Sequence, residues 1–242
     1  MANQKGGVGK TTTSINLAAG LARSAGRTLL VDLDPQCNST TGLGEEPLDR
    51  HPLMVDQAIL ATVTATSTEN LELLPGCRRF EDVRDFATIQ AQTDENLRQH
   101  LTTGASNFQY VIIDCPPSIG PLTRAALVAA DEVLMPIQCE YYAMEGLTQM
   151  IHVIRDVMTN PNRRLEFGGI LMTMFDETLE LTEEVEKEVR EFFGEVVFDT
   201  VIPRDVAVSE APSFGKPVID YAPRSRGARA YTELCMEVQE RG

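Results

Sequence analysis

The chain has 242 residues, 43% of them hydrophobic, with 36 acidic residues against 21 Lys and Arg and a formal net charge of −15. That is enough apolar material to bury the core of one α/β domain spanning residues 1–242. No apolar run approaches the ~18 residues of a membrane span and no charged-then-apolar leader opens the chain, so the expectation is a cytoplasmic protein with no membrane role. Cys37, Cys77, Cys115, Cys139 and Cys235 include no C-x-x-C pair and read as reduced thiols in core or loops rather than a disulfide frame.

The first element in chain order is "NQKGGVGKTTT", residues 3–13. A plain phosphate loop, Gly-x-x-x-x-Gly-Lys-[Ser/Thr], needs glycine where Gln4 stands. The run Lys5, Gly6, Gly7, Val8, Gly9, Lys10, Thr11 and Thr12 nevertheless keeps the physics of one. Glycines turn N–H groups toward an anion, a helix N-terminus adds its dipole, Lys10 can neutralise β/γ-phosphate charge, and the Thr11 hydroxyl can ligate Mg²⁺. The bland alternative is a flexible turn with solvated lysines. Lys5 is surplus to a single phosphate site and is better explained by a second nucleotide facing it.

Residues 11–24 place Ile15, Leu17, Ala18, Leu21 and Ala22 at helical spacing, with Gly26 as a stop. "TLLVDLDPQ" follows as a short buried strand ending in Asp32 and Asp34. Further strands are predicted near 71–75, 109–114, 132–138, 167–174 and 197–201. Helices are predicted near 94–103, 121–130, 143–158, 181–193 and 225–240, and loop plus a short helix around 54–61 in the stretch 44–70. That alternation implies a three-layer α/β fold, a mostly parallel sheet with helices on both faces. Asp114 ends the apolar strand "YVII", where a carboxylate can hold Mg²⁺ through water or simply close a turn. Asp34, before Pro35, is either a catalytic acid or a turn residue.

Four stretches, "KGGVGKTTTSINLA", "LLVDLDPQCNSTTGLG", "YVIIDCPPS" and "DTVIPRDVAVSEAPSFGKPVIDYAPRSRGARAY", resemble the ParA/Soj branch of the MinD-type ATPases, the deviant P-loop group of chromosome and plasmid partitioning. The likeness runs from residue 2 to about 238. It implies an ATP- and Mg²⁺-dependent homodimer stimulated by a ParB-like partner. In that resemblance Asp34 orients or activates the attacking water, Asp32 is a supporting acid, and "CPPS" is a switch segment that senses the γ-phosphate. Lys5 reaches the partner's phosphates across a nucleotide sandwich, while Pro203, Arg204 and Asp205 line the nucleoside pocket. The family's central strand ahead of "NQKGG" has here only Met1 and Ala2 in its place, so either residues beyond these or another segment must support the loop.

The departures bear on DNA. Partitioning ATPases that grip non-specific DNA commonly carry arginines where this chain has Thr178 and Ala207. Residues 176–191 hold eight acids against Lys187 and Arg190, and read as a solvated helix with Leu181, Val185, Val189 and Phe192 toward the core. Such a face repels phosphate. The candidate DNA patch is Arg224, Arg226 and Arg229, with Arg204 and Lys216. Two readings follow. One is a nucleoid-associated segregation ATPase. The other is a ParA-like switch positioning a protein cargo, with weak or no DNA binding. Nitrogenase-reductase chemistry lacks its cysteine pair, and a MinD-like membrane role lacks a basic amphipathic tail in "YTELCMEVQERG".

Overall fold

The computed structural model describes residues 1–52, 61–79, 97–140 and 143–241. The short helix expected around 54–61 lies almost wholly outside these residues, as does the start of the helix expected at 94–103, which is helical over 97–104.

The strands are β1 Thr28–Asp32, β2 Thr64–Ala65, β3 Leu71–Leu74, β4 Tyr110–Asp114, β5 Glu132–Gln138, β6 Glu166–Phe175 and β7 Val197–Pro203. The helices that matter for the site are α1 Lys10–Ser24, α2 Asn38–Gly42, α3 Pro121–Ala129, α4 Ala143–Thr159, α5 Glu180–Phe193, α6 Val206–Glu210, α7 Val218–Tyr221 and α8 Arg226–Arg241. Period-two alternation distributes the strands between two helical layers. Leu30 and Leu171 pack with Leu17, Leu21, Tyr231 and Leu234 of α1 and α8. Leu29, Val31 and Ile113 face Leu97 and Leu122, and Ile170 and Met172 face Leu147, Met150 and Val185. Helices therefore cover both faces. All five cysteines are free and buried, and burial pushes the Cys235 thiol up to about 12.

α5 corrects one expectation. Val185 and Val189 are buried, but Leu181 is 43% and Phe192 72% exposed. The buried side of the helix is the one carrying Thr182, Val185 and Val189, with Phe193 partly covered. Leu181 and Phe192 lie on the edge of that stripe, and Phe192 meets only the rim, edge-on to Phe193 at 4.8 Å.

The sheet is not the single one expected. β2-β3-β1-β4 form one piece and β5-β6-β7 another, parallel throughout except for the two-residue edge β2. Met1–Asn3 sit between the facing edges of β4 and β5. The Met1 ammonium donates to Ile113 O (2.7 Å), Cys115 N to Met1 O (3.3 Å), Ala2 N to Leu134 O (3.1 Å), and Asn3 Nδ2 to Pro136 O (2.8 Å). Three residues thus do a strand's work at the end where the phosphate loop begins. Alongside the rest of β4 lies a cavity of about 730 Å³ lined by Met1, Leu17, Leu21, Ile112, Leu134 and Phe198, and Tyr110, Val111 and Ile112 are half-buried rather than buried.

Backbone groups facing such a slot lose ladder partners, at about 1–3 kcal/mol for each one left unsatisfied. A chain lengthened by about six apolar, β-branched residues ahead of Met1 is therefore expected to melt at least about 5 °C higher than residues 1–242 alone. Calorimetry on the two chains checks this, and equal melting temperatures would mean that the slot closes without a strand.

Candidate functional site

The loop leading into α1 is built for an anion. Gly7 and Gly9 take φ of +75° and +84°, a left-handed region that L side chains avoid. A Cβ on Gly6 or Gly7 would meet nothing within 4 Å, so the space beside these two glycines is open. Gly9 precedes α1 and no side chain caps the helix, which leaves the first N–H groups and the positive end of the dipole aimed into that opening. The Thr173 hydroxyl on β6 lies 3.0 Å from Val8 O and 2.9 Å from Ile137 O, tying the loop to both strands beneath it.

The two lysines point to different work. Lys10 is 6% exposed, and its Nζ donates to Lys5 O at 2.8 Å. Burial lowers its pKa, opposed by the negative charges of Asp114 and Asp34. Lys5 lies at the surface with Nζ 3.2 Å from Glu140 Oε2, and Gln138 Nε2 holds the other oxygen of Glu140 at 2.6 Å. Lys5 therefore turns away from the loop it belongs to.

Three carboxylates meet behind the loop. Asp114, at the end of β4, is fully buried and accepts from Ser14 Oγ on Oδ1 (3.0 Å) and Ser39 Oγ on Oδ2 (2.8 Å), with the Thr11 hydroxyl also bonding to it. Burial raises its pKa and these three hydroxyls lower it. Asp32, at the end of β1, accepts from Thr40 N (2.9 Å), Thr40 Oγ1 (2.7 Å) and Asp34 N (3.1 Å). Burial, with the Asp114 charge beside it, pushes its pKa up to about 7. Asp34 is 5% exposed and its Oδ1 accepts from Gln36 N at 2.9 Å. The donor set of Thr11 and Asp114 suits a hard divalent cation that completes its shell with phosphate and water oxygens.

Pro203 and Arg204 close β7, where Arg204 N donates to Phe175 O at 2.8 Å. Asp205 is a structural cap. Its Oδ1 accepts from Ala207 N (2.9 Å), capping α6, and its Oδ2 from Gly227 N (2.8 Å). Arg224, Arg226 and Arg229 are exposed at the start of α8. Arg226 donates to Arg204 O (3.4 Å) and pairs with Glu177 at 3.9 Å. Thr178 is exposed next to that glutamate, its hydroxyl on Asp176 Oδ1 at 2.6 Å. One surface therefore gathers Thr178, Arg204, Ala207 and Arg226.

Several residues here escape sequence reasoning. Ser14, Ser39 and Thr40 hold the carboxylates. Asn16 accepts from Val218 N (2.7 Å) and donates to Thr12 O (2.8 Å), bracing α1 against α7. The one visible signal was the run of hydroxyls in "CNSTT" directly after "DLDPQ".

A family model described as an AAA domain matches residues 1–167. The chain is 46% identical over 245 residues to the sporulation initiation inhibitor protein Soj of Bacillus subtilis, covering 99% of this chain and 97% of that one. It is 44% identical to the chromosome partitioning protein ParA of Myxococcus xanthus, covering 100% and 87%. Among solved structures, cobyrinic acid a,c-diamide synthase from Mycobacterium smegmatis with bound ADP and magnesium is similar at TM-score 0.84 and 34% identity, covering 97% and 90%.

Proposed function

This chain belongs to the ParA/Soj family of chromosome-partitioning ATPases, and we propose that it binds ATP on the loop Lys5–Thr12, dimerises with nucleotide between two copies, and resets by hydrolysis. The observation that carries this reading is Lys10. It is a buried ammonium at an uncapped helix start, facing an open glycine cradle on one side and Asp114 and Asp34 on the other. Such a cation gains most when it meets a phosphate rather than a backbone carbonyl.

The roles then divide by position. Loop N–H groups and Lys10 hold the β- and γ-phosphates. The Thr11 hydroxyl, with Asp114 acting through water, would hold Mg²⁺, which when bound offsets phosphate charge. Asp34 orients the attacking water. Lys5 leaves Glu140 and reaches the phosphates of the second copy. That exchange costs little, because an exposed ion pair contributes only about 0–1 kcal/mol. Pro203 and Arg204 border the nucleoside, and Asp205 supports them as a cap. A ParB-type partner stimulates the reset, in keeping with the family.

The surface around Arg226 favours a second reading for the ATP-bound form, a grip on a protein cargo rather than on DNA. Thr178 and Ala207 contribute no cation there, and Glu177 offsets Arg226. A salt series of ATP-dependent binding to non-specific DNA separates the readings. Tight binding that falls steeply with salt would select segregation through Arg224, Arg226 and Arg229, and no binding would select the cargo. Thr178→Arg with Ala207→Arg is expected to strengthen binding and steepen the slope of log K against log salt by about 0.9 for each new phosphate contact. A double variant no better than the original would show that these positions do not face DNA.

A further inference from the structure

Adjacent hydroxyls on the first turn of α2 are divided between two buried carboxylates on two strands. Ser39 donates to Asp114 Oδ2 at 2.8 Å, across 75 positions of sequence. Thr40 donates to Asp32 Oδ2 from both its hydroxyl and its backbone N–H. Gly76 N in turn donates to Thr40 Oγ1 at 2.8 Å, which commits the Thr40 proton to Asp32. Ser39, Thr40, Asp32 and Asp114 are all fully buried.

The segment just before α2 is the turn that carries Asp34. It is closed by Cys37 N on Asp34 O (2.8 Å) and Gln36 N on Asp34 Oδ1 (2.9 Å), with Cys37 at a left-handed φ of +54°. Four residues separate Asp34 from Ser39, and α2 is one short helix of five residues. The Asp34 turn is therefore anchored at its far end by the hydroxyls of Ser39 and Thr40. Ser14 also holds Asp114, but it stands on α1 and its hydroxyl is shared between Asp114 Oδ1 and Lys10 O. Ser39 ties the Asp114 carboxylate to the helix that follows the Asp34 turn, on the far side of that turn from the Leu33 N–H that donates to Asp114 O at 3.0 Å.

We propose that Ser39 is a positioning residue for hydrolysis, which fixes Asp114 toward Mg²⁺ and, through α2, sets the Asp34 turn; this rests on the reading of Asp114 given above. A carboxylate supporting a metal needs its remaining lone pairs satisfied if it is to keep one orientation, and loss of such an outer partner commonly costs about 10- to 100-fold in metal affinity or activity. The expected signature is a coupled loss on the magnesium side and the hydrolysis side, without loss of the phosphate grip made by the loop.

Ser39→Ala is to be titrated calorimetrically with a non-hydrolysable ATP analogue, with chelator and with Mg²⁺, and its steady-state hydrolysis measured. Affinity in chelator is expected to match the original protein. The tightening that Mg²⁺ brings is expected to shrink about tenfold, so that KM for Mg²⁺-bound ATP rises by about that factor, with kcat also down about tenfold. In an Asp114→Ala background the same substitution is expected to add nothing further. Ser39→Cys, close in volume but a poor donor, reads the same signature if the alanine variant melts below the assay temperature, and Ser39→Thr is expected to restore part of the magnesium increment. An unchanged magnesium increment in Ser39→Ala, or an equal additional loss in the Asp114→Ala background, would overturn the proposal. If Asp114→Ala alone keeps the full increment, the magnesium reading of Asp114 falls and the role of Ser39 falls with it.

Discussion

Replacing Lys10 with alanine is expected to weaken ATP binding by at least about 100-fold, the penalty typical of removing one partner from a buried charged cluster. Lys10 is the one loop side chain whose charge is buried at the helix start. Its burial lowers its pKa while Asp114 and Asp34 hold it up. Removing it leaves those carboxylates facing the opening, where they would repel a triphosphate. Calorimetric titration with ATP and Mg²⁺ checks the prediction, with circular dichroism to show that the variant still folds. An affinity equal to that of the original chain would mean that the cradle is not the nucleotide site.

Asp34→Ala is expected to have the opposite profile, with ATP affinity retained and turnover reduced by at least about 100-fold, the range typical of a lost general acid or base. Asp34 Oδ1 already caps the Gln36 N–H, which is the turn role that its place before Pro35 suggests. The catalytic role adds a demand that only kinetics reads. Because hydrolysis ends the ATP-bound state, the variant should accumulate as a dimer, visible by light scattering as a mass near twice that of the chain. Normal turnover would reduce Asp34 to a turn residue.

The phosphate loop, α1 and β1 were legible because each carries its own local signal, in glycine spacing, a 3.6-residue apolar period and a short apolar run. Asp114 was legible from its place at a strand end. What could not be read depends on partners far along the chain. Ser39 meets Asp114 across 75 positions, and α2 is too short to show a period, so its hydroxyls look like loop residues. Asp205 was read beside the nucleoside from its position after "IPR", and that reading gave no sign that both of its oxygens accept from backbone N–H groups. Leu181 and Phe192 fit an apolar stripe by spacing, but the sheet beneath α5 covers only the side of Thr182, Val185 and Val189. The sequence showed that a strand ahead of "NQKGG" is reduced to Met1 and Ala2, but not that the sheet divides between β4 and β5. Met1–Asn3 bridge that division at the loop end through hydrogen bonds to β4 and β5, partners more than 100 positions away in sequence.

We propose a shared hydrolysis site, with Lys10 and Asp34 from one copy and Lys5 from the other. It is tested most directly by mixing Lys5→Ala with Asp34→Ala before ATP is added. Each variant alone is expected to be inactive. In a mixed dimer the copy carrying Lys5→Ala still has its own Asp34 and receives an intact Lys5 from its neighbour, so one of the two sites works. An equal mixture is then expected to recover up to about a quarter of the original activity, since half of the dimers are mixed and each has one working site. A mixture as inactive as its two components would contradict the shared site, and full activity in Lys5→Ala alone would show that Lys5 serves no phosphate at all.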